Sequence, residues 1–461
     1  MIVESIRNIF AIPELRRRLI FTFAMLAVYR VGCFIPTPGV DPHALAEFME
    51  ASRGGLLDFV NNFTGGSLSR VAVFALGIMP YITASIILQL LTVVVPYLEK
   101  LSKEGEAGRK KITQYTRYGT ILISAIQSTA IAVFLAKTTT PAGAALVPNP
   151  GIGFTLTTVI TLTTGCAFVM WLGEQISERG IGNGISLIIF AGIVVGLVPA
   201  IFDTISKVQT GQMALFAIIL LSVFMLAVVA FIVYMERGQR RIPVQYAKRV
   251  VGRKVYGGQS TYLPLRINTG GVIPVIFASS VVMVPTTIGQ AINNAWVQDI
   301  VTAISWGQPL YYVLYFAAII LFSYFYVSII FNPQDVAENM RKYGGFIPGI
   351  RPGRRTSDYL DRILTRLTLV GSLYLALVSI LPDFLLGGVK VASLPFIGPE
   401  LDAALPGWVT SGMGINFYFG GTSLLIVVGV AMDFMQQVES QLVMRNYEGF
   451  MKKGRIRGRR G

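Results

Sequence analysis

Ten apolar stretches recur along the 461 residues, and almost all of the positive charge falls on alternate connections between them. The stretches cover 19–35, 71–95, 118–136, 154–173, 185–202, 213–235, 272–292, 310–331, 367–386 and 418–438. A bilayer core about 30 Å thick takes about 20 apolar residues of helix, so these lengths predict membrane-spanning helices. Of the 39 Lys and Arg residues, 33 lie in the two terminal segments and in connections 2–3, 4–5, 6–7 and 8–9. Five lie in the other connections, and Arg30 sits inside the first stretch. Basic connections stay on the cytoplasmic side, so the pattern predicts both termini there.

Hydrophobic residues make up 53% of the chain and charged residues 14%, against about 25% charged in a soluble protein. One membrane domain is expected, without a large soluble one. The longest connections run to about 30–40 residues, too short for a core of their own. The net charge of +15 has two readings. It follows from topology alone, or the larger basic connections also dock an acidic or RNA-rich partner. Cys33 and Cys166 both fall within apolar stretches and read as buried small residues rather than a disulfide. Arg16, Arg17 and Arg18 precede the first stretch without a small-residue cleavage site after it, so a retained helix is expected.

Several segments stand apart from this pattern. Residues 1–18 read as an amphipathic lead-in, with Ile6, Ile9, Phe10 and Leu15 among charges. Segment 36–70 holds a short apolar run at 56–60 followed by Asn, Gly and Ser. It is either an ordinary outer loop or a re-entrant segment folded back among the helices, where irregular backbone is tolerated. Connection 6–7 (236–271) carries β-formers Val244, Tyr246, Val250, Val251, Val255 and Tyr256 around Gly252-Arg253-Lys254, which predicts an extended hairpin. Connection 8–9 (332–366) is rich in turn residues, among them Tyr343-Gly344-Gly345 and Pro348 to Arg355. An even number of spans permits two inverted halves, 1–205 and 206–461, of a single membrane domain.

Missing chemistry narrows the function. The single histidine, His43, lies in an outer connection, which excludes an H-E-x-x-H metalloprotease helix and disfavours a Ser–His pair within the membrane. Asp383 and Asp433 both fall near the C-terminal ends of their stretches, which run in opposite directions and so place them near opposite sides of the membrane, the wrong placement for an aspartyl dyad. No phosphate-binding P-loop is present. No catalytic residue, metal site or cofactor is therefore expected, and energy must come from a partner or from the membrane potential. The centres of the stretches are apolar, with Arg30 and Asp433 near the ends, where a cation snorkels or pairs. A small-solute secondary transporter is the alternative function class; a membrane hydrolase lacks the groups it needs.

Four groups of residues carry a family resemblance. They are Gly65 to Arg70 running into VFALGIMPYITASIILQLL (73–91), the run 91–120, the run 171–194, and a set comprising 236–249, 331–353 and 418–440. The chain resembles the SecY/Sec61-alpha family of protein-conducting channels over nearly its whole length. Connections 137–153 and 387–417 match weakly, and the latter is longer than is usual in the family.

The resemblance implies an all-α fold with ten transmembrane helices, in two pseudo-symmetric inverted halves around an hourglass pore. Positions matching the family's apolar pore ring are Ile78, Ile82, Ile185, Ile189, Ile276 and Ile426. The pairs 78/82 and 185/189 each fall on one helical face, and such a constriction excludes ions by dewetting. The segment 56–70 matches the plug, with Leu57, Phe59, Asn61, Asn62, Phe63, Gly65 and Gly66. The matching lateral gate sets spans two and three against seven and eight, with Thr83, Gln89 and Gln127 at the seam and with Pro80 and Pro274 bending the gate helices. Arg240, Arg241, Arg253, Lys254 and Arg351 match the cytoplasmic docking platform. Implied partners are SecE-like and SecG-like subunits, the SecA ATPase, the ribosome with its rRNA phosphates, nascent chains, signal sequences and the lipid bilayer. The implied location is the bacterial inner membrane.

Overall fold

The computed structural model describes residues 12–51, 61, 64–140, 143–211, 215–246, 249–251, 254–256, 260–290, 295–305, 307–388, 410 and 421–453. Helices dominate. In chain order they are α1 (Pro13–Gly32), α2 (Pro42–Ala51), α3 (Met79–Val94), α4 (Pro96–Lys103), α5 (Glu106–Lys137), α6 (Ile152–Arg179), α7 (Gly184–Gln209) and α8 (Leu215–Arg237). Four strands follow: β1 (Gln239–Tyr246), β2 (Arg249–Val251), β3 (Lys254–Tyr256) and β4 (Ser260–Arg266). Then come α9 (Ile273–Gln290), α10 (Ala295–Ala303), α11 (Pro309–Ile330), α12 (Pro333–Lys342), β5 (Gly345–Phe346), α13 (Arg354–Gly387) and α14 (Gly421–Lys453).

Among the described residues, seven helices are long and apolar enough to cross a bilayer, and α3 with α4 forms one further pair bent by 99°. The first stretch is the helix α1, which carries Arg16, Arg17, Arg18 and Arg30. A helix rises about 1.5 Å per residue, so the 32 residues of α5 extend about 48 Å, well beyond the hydrocarbon. Its first turns carry Arg109, Lys110 and Lys111, all exposed. Residues 1–11 of the lead-in expected over 1–18, and most of connection 387–417, lie outside the described residues.

The second stretch departs from expectation. Residues 71–78 are turns, and helix begins only at Met79, with Pro80 in its first turn. Val71 adopts a left-handed conformation (φ 43°) and Gly77 has φ 55°. Proline suits a helix start because its missing N–H would be unpaired there anyway. Pro80 therefore starts α3 rather than bending it, and Pro274 likewise occupies the second position of α9. The turn segment keeps its backbone paired: Val73 N–H donates to Ile35 O at 2.9 Å, and Val71 O accepts from Thr37 N–H at 2.9 Å. At Gly165 of α6 any side chain would strike the Val73 carbonyl, so a glycine there lets the helix meet this backbone directly.

The chain divides into two compact units. One comprises Met1–Ser206, Val284–Thr302 and Val430–Gly461. In it α5 packs on α6 and α3, and α1 on α6. The other comprises Lys207–Met283 and Ala303–Gly429. There α11 packs on α13, and two basic connections fold together. β1 pairs antiparallel with β4 through Gln239↔Arg266 to Gln245↔Ser260, and also with β5 through Gln245↔Phe346 and Tyr246↔Gly345. The inner pair β2–β3 extends the hairpin, with Val251 opposite Lys254.

This sheet shows what the lengths of the connections do not. Each connection by itself is too short for a core, but the two pool one. Ile242 and Leu265 from the hairpin pack with Ile347, Leu360, Ile363 and Leu364 from the other connection and the start of α13. Short-range sequence reading treats the two connections separately, and their shared core is a long-range contact.

Candidate functional site

The six isoleucines fall three ways. Ile78, Ile82 and Ile189 are buried in the first unit and Ile185 is half-buried; Ile276 and Ile426 are buried in the second. Ile78 caps α3, and its carbonyl accepts from Ile82 N–H at 3.1 Å, so the two share one helical face.

The turn before α7 explains how Ile185 is held. Asn183 Oδ1 accepts from Ile185 N–H at 3.1 Å and Ser186 N–H at 3.4 Å, the geometry of a helix N-cap. Ser177 Oγ accepts from Gly184 N–H and donates to Gly173 O, both at 2.9 Å. A side chain at Gly184 would collide with the Gly173 carbonyl. The α6–α7 hairpin is thus closed at its neck. Thr22 of α1 locks the same turn: its Oγ1 accepts from Ile181 N–H at 3.1 Å.

In the second unit, a side chain at Gly429 would sit 2.9 Å from Val272 Cγ1, so α14 and the entry to α9 are in close contact. Val272 O accepts from Ile276 N–H at 3.2 Å. Tyr315 of α11 reaches the Thr422 hydroxyl at 2.9 Å, which ties α11 to the start of α14.

Of the residues matched to a plug, Asn61, Gly65 and Gly66 are described; Leu57, Phe59, Asn62 and Phe63 lie outside the described residues. Segment 64–70 is folded inward, with Thr64 and Ser67 fully buried. Arg30 Nη1 donates to Gly65 O at 2.5 Å, and Tyr29 Oη donates to Thr64 O at 3.3 Å. A Cβ on Gly65 would lie 3.0 Å from Gly192 Cα of α7, and one on Gly77 3.2 Å from Thr64 Cγ2. Asn61 Oδ1 accepts from Ser69 N–H at 2.8 Å, closing the segment on itself. Sequence reasoning marked the glycines but missed Tyr29, Thr64 and Gly192, because backbone acceptors leave no signature in residue type.

Two of the polar residues expected at a gate make local bonds. Thr83 Oγ1 donates to Met79 O at 3.1 Å, and Gln89 Nε2 to Ser85 Oγ at 3.2 Å, both within α3. Gln127 is buried on α5. Across helices, Arg117 Nε meets Glu174 Oε1 at 2.9 Å and Nη2 meets Oε2 at 2.8 Å, joining α5 to α6 at two points.

The basic residues sort by strand face. Arg241 and Pro264 are register partners, as are Pro243 and Tyr262, and these stand on the exposed face of the sheet. Arg240 is opposite Leu265, on the other face, and is itself exposed. Arg351 is exposed in a turn whose shape is held by Thr356 Oγ1 donating to its carbonyl at 2.9 Å. Gly349 and Gly353, with φ 81° and 105°, flank it. Lys254 is in β3, and Arg253 lies outside the described residues.

The chain is similar to known proteins in sequence and in fold. The SecY family model matches residues 72–435. Protein translocase subunit SecY of Escherichia coli (strain K12) is 50% identical over 449 residues, 96% of each chain. A solved structure of a protein conducting channel aligns with TM-score 0.62 and 18% identity, covering 92% of this chain and 91% of that one. Sec61 in the canine ribosome–channel complex from the endoplasmic reticulum aligns with TM-score 0.57 and 16% identity over the same shares. The two structures share the fold; the half-identity across 96% of the chain carries more, and on that ground this multi-pass helical membrane protein belongs to the SecY family.

Proposed function

We propose that this chain is the channel-forming subunit of a Sec-type protein translocase, passing unfolded secretory chains across the membrane and releasing apolar segments sideways into lipid. The observation that carries this reading is the 50% identity to protein translocase subunit SecY over 96% of the chain. The role is conduction rather than catalysis.

In this reading ten helices span the bacterial inner membrane, with both termini cytoplasmic, in halves 1–205 and 206–461. Ile78, Ile82, Ile185, Ile189, Ile276 and Ile426 form the pore ring. What supports them is the burial of five of them on helices held at glycine contacts and, for the half-buried Ile185, a capped turn. Branched apolar side chains at a constriction repel water when idle and deform around a threaded chain. The segment 56–70 is the plug, supported by the inward fold of 64–70. Thr83, Gln89 and Gln127 belong to the lateral gate, where a polar contact contributes on the order of 1 kcal/mol, within reach of a hydrophobic signal sequence.

Arg240, Arg241, Arg253, Lys254 and Arg351 serve the SecA motor and the ribosome. The pooled core beneath Arg241 and Arg351 supports this, since a rigid base lets guanidinium groups meet phosphates without ordering a floppy loop. Ribosome-bound Sec61 shares the fold. SecE-like and SecG-like subunits complete the complex.

The test is reconstitution of the chain with those subunits, a SecA motor and ATP in vesicles. A signal-bearing precursor becomes protected from added protease. Saturable uptake of a small solute without a motor would replace this reading with a transporter.

A further inference from the structure

We infer that Arg30 is the positioning residue that holds the channel closed, by clamping the stem of the gating segment through the Gly65 carbonyl. The inference rests on the plug reading above and goes further, because it assigns the restraint to a side chain outside the segment.

The geometry begins with a cation in an unusual place. Arg30 lies in the last turn of α1, where helix carbonyls favour positive charge. Its guanidinium turns inward, donates to Gly65 O at 2.5 Å and stands 4.8 Å from the Phe34 ring centroid. Arg70, at the far end of the same stem, lies 4.3 Å from that centroid. Phe34 thus carries cation–π contacts from the residue that holds the stem and from the residue that ends it.

Neighbouring contacts make the clamp specific. Tyr29, one residue before Arg30, donates to Thr64 O at 3.3 Å, so adjacent carbonyls of the stem are both held by α1. Gly65 has φ 67° and rests on Gly192 of α7, the helix that carries Ile185 and Ile189. A side chain there would force stem and helix apart. Beyond the stem, Val71 is β-branched yet left-handed, the sole non-glycine residue with positive φ among the described residues. That conformation is disfavoured and persists where its surroundings enforce it. Val71 is buried beside Leu45, Leu135 and Leu146, which hold it. The stem is therefore held by α1 at two adjacent carbonyls and strained at the join, and Arg30 makes the charge-assisted contact of the two.

The experiment measures idle ion leak in the assembled translocase complex, reconstituted in vesicles, for wild type, Arg30→Gln, Arg30→Lys, a deletion of 57–66, and Arg30→Gln combined with the deletion. Arg30→Gln is expected to raise leak about tenfold, the population shift from losing one charge-assisted hydrogen bond. Arg30→Lys, which keeps a cationic donor but not the planar guanidinium over Phe34, leaks at a level between wild type and Arg30→Gln. Arg30→Gln adds nothing once the segment is deleted. A tight Arg30→Gln complex beside a leaky deletion overturns the clamp and leaves the plug standing. A deletion that does not leak overturns the plug reading and the clamp with it. Extra leak from Arg30→Gln in the deletion background overturns the clamp, because the effect then does not act through the segment. If Arg30→Gln fails to assemble, amide hydrogen exchange over 64–70 in the Arg30→Lys complex decides: faster exchange than wild type supports the clamp, and unchanged exchange overturns it.

Discussion

Tyr246 and Gly345 stand opposite each other where β1 meets β5, and the tyrosine ring fills the space a side chain at 345 would need: a Cβ there would lie 3.0 Å from Cε1. This pair and Gln245↔Phe346 join, by strand pairing, two connections that are about 100 residues apart in sequence. Gly345→Val displaces the ring or the strand. The expected cost is about 1–3 kcal/mol locally, with faster limited proteolysis within 236–271 and a several-fold drop in ribosome affinity in detergent. Unchanged cleavage and affinity would detach docking from this sheet.

Arg351 is exposed on a turn built by two left-handed glycines and the Thr356 hydrogen bond. Arg351→Glu reverses its charge without disturbing that frame. ATP-driven import of a precursor into vesicles should fall several-fold, while the protein's own membrane insertion stays normal. Full import would remove this arginine from the motor's footprint.

A closed hairpin neck predicts a different kind of failure. Gly184 N–H is bound by Ser177 Oγ, and its α-carbon faces the Gly173 carbonyl too closely for any side chain. Gly184→Ala must move backbone rather than a side-chain tip, at a cost of about 1–3 kcal/mol. The midpoint of thermal unfolding in detergent should fall, and idle ion leak should rise because Ile185 starts from this turn. An unaltered midpoint would show that the neck relaxes freely.

The proposed pore ring is tested by composition. Replacing Ile78, Ile82, Ile185, Ile189, Ile276 and Ile426 with Ser makes the constriction wettable. Conductance of the idle complex in planar bilayers should rise, and a bilayer as tight as wild type contradicts the seal.

Arg117 and Glu174 make a two-point contact between α5 and α6, with side-chain exposures of 45% and 15%. Water screens the arginine more than the carboxylate, so the pair is worth less than a buried one. A double-mutant cycle with Arg117→Met and Glu174→Gln should give a coupling of about 1 kcal/mol, read from unfolding midpoints. Additive effects would mean that the contact contributes no net stability.

The residue order alone determined that this is a multi-pass helical membrane protein, since a run of apolar residues long enough to cross lipid is a property of sequence and needs no tertiary contact. The extended hairpin was legible too, because β-formers around Gly252 and the charged tip are local signals. Family membership was legible in long motifs such as 171–194, where Gly180 and Gly184 meet neighbouring backbone and Asn183 caps the next helix. Tertiary structure alone decided that helix starts at Met79 rather than at 71. An apolar run does not reveal that Val71 and Gly77 turn left-handed or that Ile35 supplies the missing backbone partner. It also decided that two basic connections share one core and that Arg30 points at Gly65. These contacts bind carbonyls, ring edges and the empty space over glycines across long separations, and none of those is encoded in the spacing of residue types along the chain.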